Sequence, residues 1–196
     1  MIPKARKNLH ECSYHLTNMK SSNNSEEFEI NFAAFVNSAR NVTFVLQKEF
    51  TKDSDFNNWY TQKQTEMKND ELCKFFLELR NNIIKEGING IVGFSFTNQP
   101  FNTTNDLEQK PKNAKNITID GKGVFWNINV GTKYEDKIPA KHNGKLTTII
   151  KLNNQPKQHL GKDISKKNTV EISESYFDYL KKLVDDFVEL KIKRLS

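Results

Sequence analysis

Arg80, Asn81 and Lys85 stand close together in FFLELRNNIIKEG, residues 75–87, just behind the apolar positions Phe75, Phe76 and Leu79. An arginine presents a planar fork of N–H donors that fits carboxylate or phosphate in two parallel hydrogen bonds, and a lysine offers a compact point charge. Two such cations within about a turn and a half of helix can bracket a phosphate. Arg80 follows Phe76 by four residues, which places it about 40° round a helix from that ring, at the margin of a buried face. Two roles are open at that margin. The aliphatic stem can cover core atoms while the guanidinium reaches Asp or Glu on a neighbouring helix, or the charge can be held ready for an anionic ligand.

The remaining residues with chemical potential are more scattered. His10 and His15 are five apart, the wrong interval for two ligands on one helical face, and Glu11 between them makes no HExxH motif. Cys12 and Cys73 have no CxxC partner, so neither a zinc site nor a disulfide is expected, and both read as core thiols. His142 and His159 fall in expected loops without an assigned role. The glycines of GINGIVG, residues 87–93, follow a helix and enter a strand, the reverse of the order that a phosphate-cradling loop needs. Lysines within 110–122, with Phe125 and Trp126 behind them, read either as a basic strand pair with a stacking ring or as a solvated loop beside a core tryptophan. GxSxG, P-loop and paired-carboxylate patterns are absent from the sequence, and no metal or cofactor is expected.

The elements that must position Arg80, Asn81 and Lys85 are helical. Phe28, Phe32, Phe35, Ala39, Val42 and Leu46 recur at spacings of three and four, which predicts a helix over 26–50, and Asn24 with Glu27 suggests a capping box. Leu9, Cys12, Leu16 and Met19 mark a weaker helix over 7–20. Phe56, Trp59 and Tyr60, continued by Leu72, Phe76, Leu79 and Ile83, predict a third, long helix, broken or re-capped at Asn69–Asp70 and stopped by Gly87. Beyond Gly90 the texture becomes β-like. IVGFSFT (91–97), NITI (116–119), GVFWNINV (123–130) and LTTIIKL (146–152) predict an antiparallel meander with turns at Asp120–Gly121 and Asn143–Gly144, and 98–115 reads as a polar loop. Helical spacing returns at Ser173, with Ser175 and Asp178 as a capping pair. A lone helix has no core of its own, so this one is placed against the first three. The expectation is an α+β fold: a helical bundle over 1–88, a small antiparallel sheet inserted over 89–172, and a C-terminal helix over 173–196 that packs back on the bundle.

At 196 residues the chain suits one compact unit, and its net charge of +6 favours anionic partners such as RNA or nucleotides. The first residues lack the continuous apolar core of a signal peptide, and no stretch offers about 18 uncharged apolar residues. A soluble, cytoplasmic protein with no membrane partner is the expectation, with Asn41-Val-Thr and Asn116-Ile-Thr as by-products of frequent asparagine.

LRNNIIK, late in a helical bundle, resembles the R-polar-x-x-x-H signature of the HEPN superfamily, small helical domains of prokaryotic toxins, RNases and defence systems. FAAFVNSARNVTFVLQKEF, FNNWY and RNNIIKEG are also similar to uncharacterised bacterial proteins placed beside that superfamily. The resemblance covers about residues 8–88. It implies a homodimer in which Arg and His of two protomers meet and cleave RNA without a metal, with Arg80, Asn81 and Lys85 at the catalytic positions. Here Lys85 takes the place of the histidine. The histidine's task is to handle the proton of the ribose 2′-hydroxyl, and a lysine ammonium is a poor base at neutral pH. Binding of nucleotide or RNA through Arg80 and Lys85 is therefore expected above cleavage. Arg40–Asn41 repeats the Arg-Asn pair on a helix with no His or Lys four to six residues onward. The alternative reading is a non-enzymatic, dimeric interaction protein of a mobile element, whose helices join copies and whose β region meets a protein partner.

Overall fold

The apolar stripes become buried helix faces. The computed structural model describes residues 2–22, 25–86, 91–97, 110–120, 123–141, 146–152 and 154–193. In it α1 spans Pro3–Ser21, α2 Ser25–Phe50, α3 Ser54–Asn69, α4 Glu71–Glu86 and α5 Thr169–Ile192. A proline in the first turn sets φ for α1, which buries Ala5, Leu9, Cys12, Leu16 and Met19. On α2 the expected stripe of Phe28, Phe32, Phe35, Ala39, Val42 and Leu46 is buried.

The third apolar series is broken at Asn69–Asp70, as expected, into two helices. Asp70 takes an extended conformation (φ −89°, ψ 128°) that ends α3. Its carboxylate accepts the N–H of Cys73 at 2.9 Å, which caps α4. α5 begins four residues before the expected Ser173. Its cap is the reciprocal pair of Asn168 and Glu171: Glu171 N–H donates to the Asn168 side chain at 3.1 Å, and Asn168 N–H to the Glu171 carboxylate at 2.7 Å. Ser175 and Asp178 therefore do not cap the helix. The same signature occurs seven residues, about two turns, earlier, and Ile172 extends the apolar stripe back to it. The capping box expected at Asn24, the stop at Gly87, the loop residues 98–109, and the turns at Gly121 and Asn143–Gly144 lie outside the described residues.

Contacts divide the chain into two units, a helical one of Met1–Ser22, Glu26–Ile91 and Leu152–Ser196, and a second of Asn23–Ser25 and Val92–Lys151. In the helical unit α1 packs on α5, α3 on α4, and α4 on α5. The Phe76 ring stacks on Tyr176 with centroids 4.2 Å apart and planes within 4°, and Phe35 meets Phe76 edge-on at 6.0 Å. At the far end Phe187 of α5 sits 4.7 Å from Phe50 and 4.9 Å from Phe56. Lys191, one turn on, pairs with Asp53, which also caps α3. The segment 154–168 belongs to this helical unit rather than to a β-rich insertion. It carries a hairpin of β6 (Gln158–His159) and β7 (Lys162–Asp163), with β1–β5 as defined next.

The second unit holds the meander. β2 (Ala114–Asp120), β3 (Gly123–Ile128) and β4 (Asp136–Pro139) form an antiparallel sheet in the order β2-β3-β4, and β1 (Ile91–Thr97) pairs separately with β5 (Leu146–Leu152). Ala114, Val124, Trp126 and Ala140 form the buried cluster of the meander, with Ile117, Ile128 and Ile138 packed against it. Trp126 is only 5% exposed, so its ring is a core group and offers no stacking platform to a nucleic acid base.

Phe76→Ala is expected to lower stability by about 3–5 kcal/mol, because it empties a buried site between two rings. Phe44→Ala, at a ring 53% exposed, is expected to change it by less than about 0.5 kcal/mol. Urea unfolding followed by circular dichroism measures both.

Candidate functional site

α4 runs unbroken through Arg80, Asn81 and Lys85. Arg80 is half-buried, and Asn81 and Lys85 are exposed. The guanidinium donates to the side-chain oxygen of its neighbour Asn81 at 3.4 Å, a long contact on the exposed side. Among the described residues neither Arg80 nor Lys85 takes part in an ion pair. The guanidinium is thus not spent on a carboxylate of a neighbouring helix. Regular helix geometry sets the two cations about 140° apart round the axis and about 7.5 Å apart along it. They reach two separate anionic groups more readily than they close on one phosphate. Between them in angle lie Leu77 and Ile84, one heptad apart and 46% and 56% exposed. Arg80 edges this apolar stripe on one side, and Asn81 and Lys85 edge it on the other.

A second constellation, at the start of α4, joins residues far apart in sequence. The Asp70 carboxylate, buried at 8% exposure, accepts Cys73 N–H at 2.9 Å, Leu160 N–H at 2.8 Å and His159 Nδ1 at 3.0 Å. Burial pushes this carboxyl upward, but the Leu160 and Cys73 N–H groups and the His159 ring outweigh it and hold Asp70 below the usual carboxylate range. Next door, the Glu71 carboxylate accepts the N–H groups of Lys157 at 2.9 Å and Gln158 at 3.1 Å. An acceptor at Nδ1 leaves the hydrogen on that nitrogen and the lone pair of neutral imidazole on Nε2. His159 stands edge-on to Tyr179, with centroids 5.6 Å apart, and borders a cavity of about 290 Å³ with Lys162, Lys167, Lys182 and Ser175. Lys167 Nζ donates to Ser175 Oγ at 2.7 Å.

Sequence reasoning missed this corner because Asp70 and His159 are 89 positions apart. The one signal was Asp70 itself, an acidic residue at a break between two apolar series. His159 does not supply the imidazole that Lys85 replaces. It is anchored where α4 starts, and Arg80 lies ten residues, about 15 Å, further along that helix. His15 Nδ1 meets the Asn31 side-chain oxygen at 3.2 Å, and His10 borders a separate cavity with Arg6, Lys181 and Asp185.

Cys12 and Cys73 are buried free thiols. Burial, with the charge of Glu11 added, pushes Cys12 up to about 12, and burial with Asp70 raises Cys73 as well. Neither is a thiolate nucleophile at neutral pH. Among the described residues no group of three His, Cys, Asp or Glu side chains is placed to hold a metal, and no helix is long and apolar enough to cross a membrane.

Residues 2–98 match the family model described as Bacteriophage lambda protein ea47, a span that takes in α1 to α4 and reaches past Lys85. No curated protein and no solved structure gives a significant match.

The Asp70 carboxyl is depressed in the folded state, so its contribution to stability is present in full above its unfolded value of about 3.9 and is lost as pH falls through the lower folded value. Urea midpoints of wild type and Asp70→Asn are expected to differ by a constant amount above about pH 5 and to converge below about pH 4.

Proposed function

We propose that the helical unit is a nucleotide- or RNA-binding module of a bacterial toxin, defence or mobile-element system, HEPN-like in organisation and weak or inactive as a metal-independent ribonuclease. The observation that carries this reading is Arg80: a half-buried guanidinium with no ion pair among the described residues, beside exposed Lys85, in a chain of net charge +6. Charges left unpaired on one helix face suit phosphates spaced along a strand, and their angular separation favours a polynucleotide over a single phosphate. The match to a phage protein family over residues 2–98 supports the mobile-element setting.

The exposed Leu77–Ile84 stripe supports a homodimer through α4. A second copy would cover two apolar side chains and bring both Arg80 and both Lys85 side chains to the edges of one seam. The same stripe equally suits the alternative, a non-enzymatic dimeric module that takes a protein partner, and the RNA experiment separates the two. Weak cleavage follows from Lys85, whose ammonium cannot take the proton of a 2′-hydroxyl, and from the remoteness of His159 along α4.

Fluorescence anisotropy with labelled single-stranded RNA tests the binding. Wild type is expected to bind with a clear salt dependence, and Arg80→Ala to bind about tenfold more weakly with a shallower salt slope. Unchanged affinity in Arg80→Ala would return the site to simple packing and favour the interaction module. Wild type is expected to cleave little RNA in the presence of chelator, and Lys85→His to cleave more. Chelator-resistant cleavage by wild type that Lys85→Ala abolishes would instead make Lys85 catalytic. In light scattering at tens of micromolar, wild type is expected to run as a dimer and the double variant Leu77→Glu, Ile84→Glu as a monomer.

A further inference from the structure

Arg40 repeats the Arg-Asn pair of Arg80–Asn81 on α2, and its surroundings are different. It is half-buried, between the fully buried Ala39 and the exposed Asn41. Its Nη1 donates to Thr43 Oγ1 at 2.7 Å, while the Thr43 hydroxyl donates to the Arg40 carbonyl at 3.0 Å. The hydroxyl hydrogen is thus occupied, and its oxygen acts as a strut that fixes the direction of the guanidinium. A guanidinium has five N–H donors, and this contact uses one.

The side chain lines a groove of about 430 Å³ formed by α2, α3 and α4, with Tyr176 of α5 at its base. The floor is apolar and aromatic: Val36, Tyr60, Phe76 and Tyr176 are all buried. Burial pushes both phenols up; the Thr43 hydroxyl and, less, the charge of Arg40 pull Tyr60 partly back, and the charge of Arg40 acts the same way on Tyr176. Lys68 and Lys74 stand at the rim, and Glu78 is the one carboxylate on the lining. Among the described residues none of Arg40, Lys68 and Lys74 forms an ion pair. A partly desolvated guanidinium with donors to spare is costly to leave without an anion. Gln47 and Gln64 add neutral donors and acceptors to the same walls.

We propose that this groove is a binding site for a small organic anion, with the carboxylate or phosphate held by the fork of Arg40 and an apolar body resting against Met67 and Leu77 above the buried rings. The volume falls in the range of sites for small molecules, which combine an apolar lining with a few directed polar groups. Three cations against one carboxylate select a negative ligand, and the geometry of guanidinium selects a planar or tetrahedral oxyanion over a halide. Arg80 and Lys85 do not line the groove, so the two sites use different cations, although Leu77 of the α4 stripe also lines the groove.

Isothermal titration of the full chain with adenosine 5′-monophosphate, indole-3-carboxylate and inorganic phosphate tests the proposal. At least one of the two organic anions is expected to bind. The preferred one identifies the head group as phosphate ester or carboxylate. Arg40→Gln is expected to weaken that binding about tenfold or more, Arg40→Lys to weaken it less, and Arg80→Ala to leave it unchanged. Thermal melts establish that each variant is folded. Lys68→Gln, at an exposed rim position, is expected to weaken binding severalfold even if Arg40→Gln proves unstable. Three results would overturn the proposal: neither organic anion bound at millimolar concentration, inorganic phosphate bound as tightly as either organic anion, or affinity unchanged in folded Arg40→Gln or, should that variant not fold, in Lys68→Gln.

Discussion

The carboxylate of Asp70 is the constraint on which the helical unit turns. One side chain ends α3, caps α4, and holds the Leu160 N–H and the His159 ring from a segment 89 and 90 positions away. The Cys73 N–H is buried and would otherwise be left without a partner, and the Leu160 and His159 donors meet the same carboxylate at part-buried positions. Leu160 shows how much is asked of it. Its φ of 48° lies in the left-handed region that a leucine seldom adopts, followed by Gly161 at 76°, and the bond from its N–H to Asp70 helps to hold it there. Glu71 reinforces the same clamp through two further backbone donors. The direction of α4, and with it the face that carries Arg80, Asn81 and Lys85, follows from this corner.

The charge of this chain is distributed among places with different character. On α4 the cations are splayed about an exposed apolar stripe, an arrangement suited to an extended partner. In the groove behind α2 an arginine is braced by a threonine above aromatic rings, an arrangement suited to a compact one. At the His159 corner three lysines border a cavity beside an imidazole whose tautomer a carboxylate sets. An Arg-Asn dipeptide alone distinguishes none of these. What separates Arg40 from Arg80 is the neighbour three residues on, Thr43 in one case and Ile83 in the other, and whether other helices wall in the space.

Features set by local periodicity were legible in the sequence, and features set by long-range meetings were not. The α2 stripe, the β2–β3 pairing and the break near Asp70 rest on repeats or breakers within a few residues, and they stand where spacing placed them. The start of α5 was misjudged because two cap-like pairs lie about two turns apart, and only the packing of Ile172 chooses between them. Trp126 was left between two roles, since nothing nearby in sequence says which face of β3 meets Ala114 and Ala140. The Asp70–His159 bond had no local trace at all. For the expected site, spacing placed Arg80 at the margin of the core correctly, but the angular divergence of Arg80 and Lys85 emerges only when α4 is known to run as regular helix through both.

The helical unit is assembled from segments that precede and follow the meander in sequence, and this orders events during synthesis. Tyr176 and Phe187 complete the aromatic packing of Phe76, Phe50 and Phe56, yet they leave the ribosome 100 to 137 residues later. Until then α2, α3 and α4 have no α5 to cover those rings, whereas the β2-β3-β4 meander needs only neighbours and closes early. The nascent protein therefore carries a finished small sheet and an unfinished bundle, and its period of greatest exposure to aggregation and chaperone capture lasts until α5 emerges.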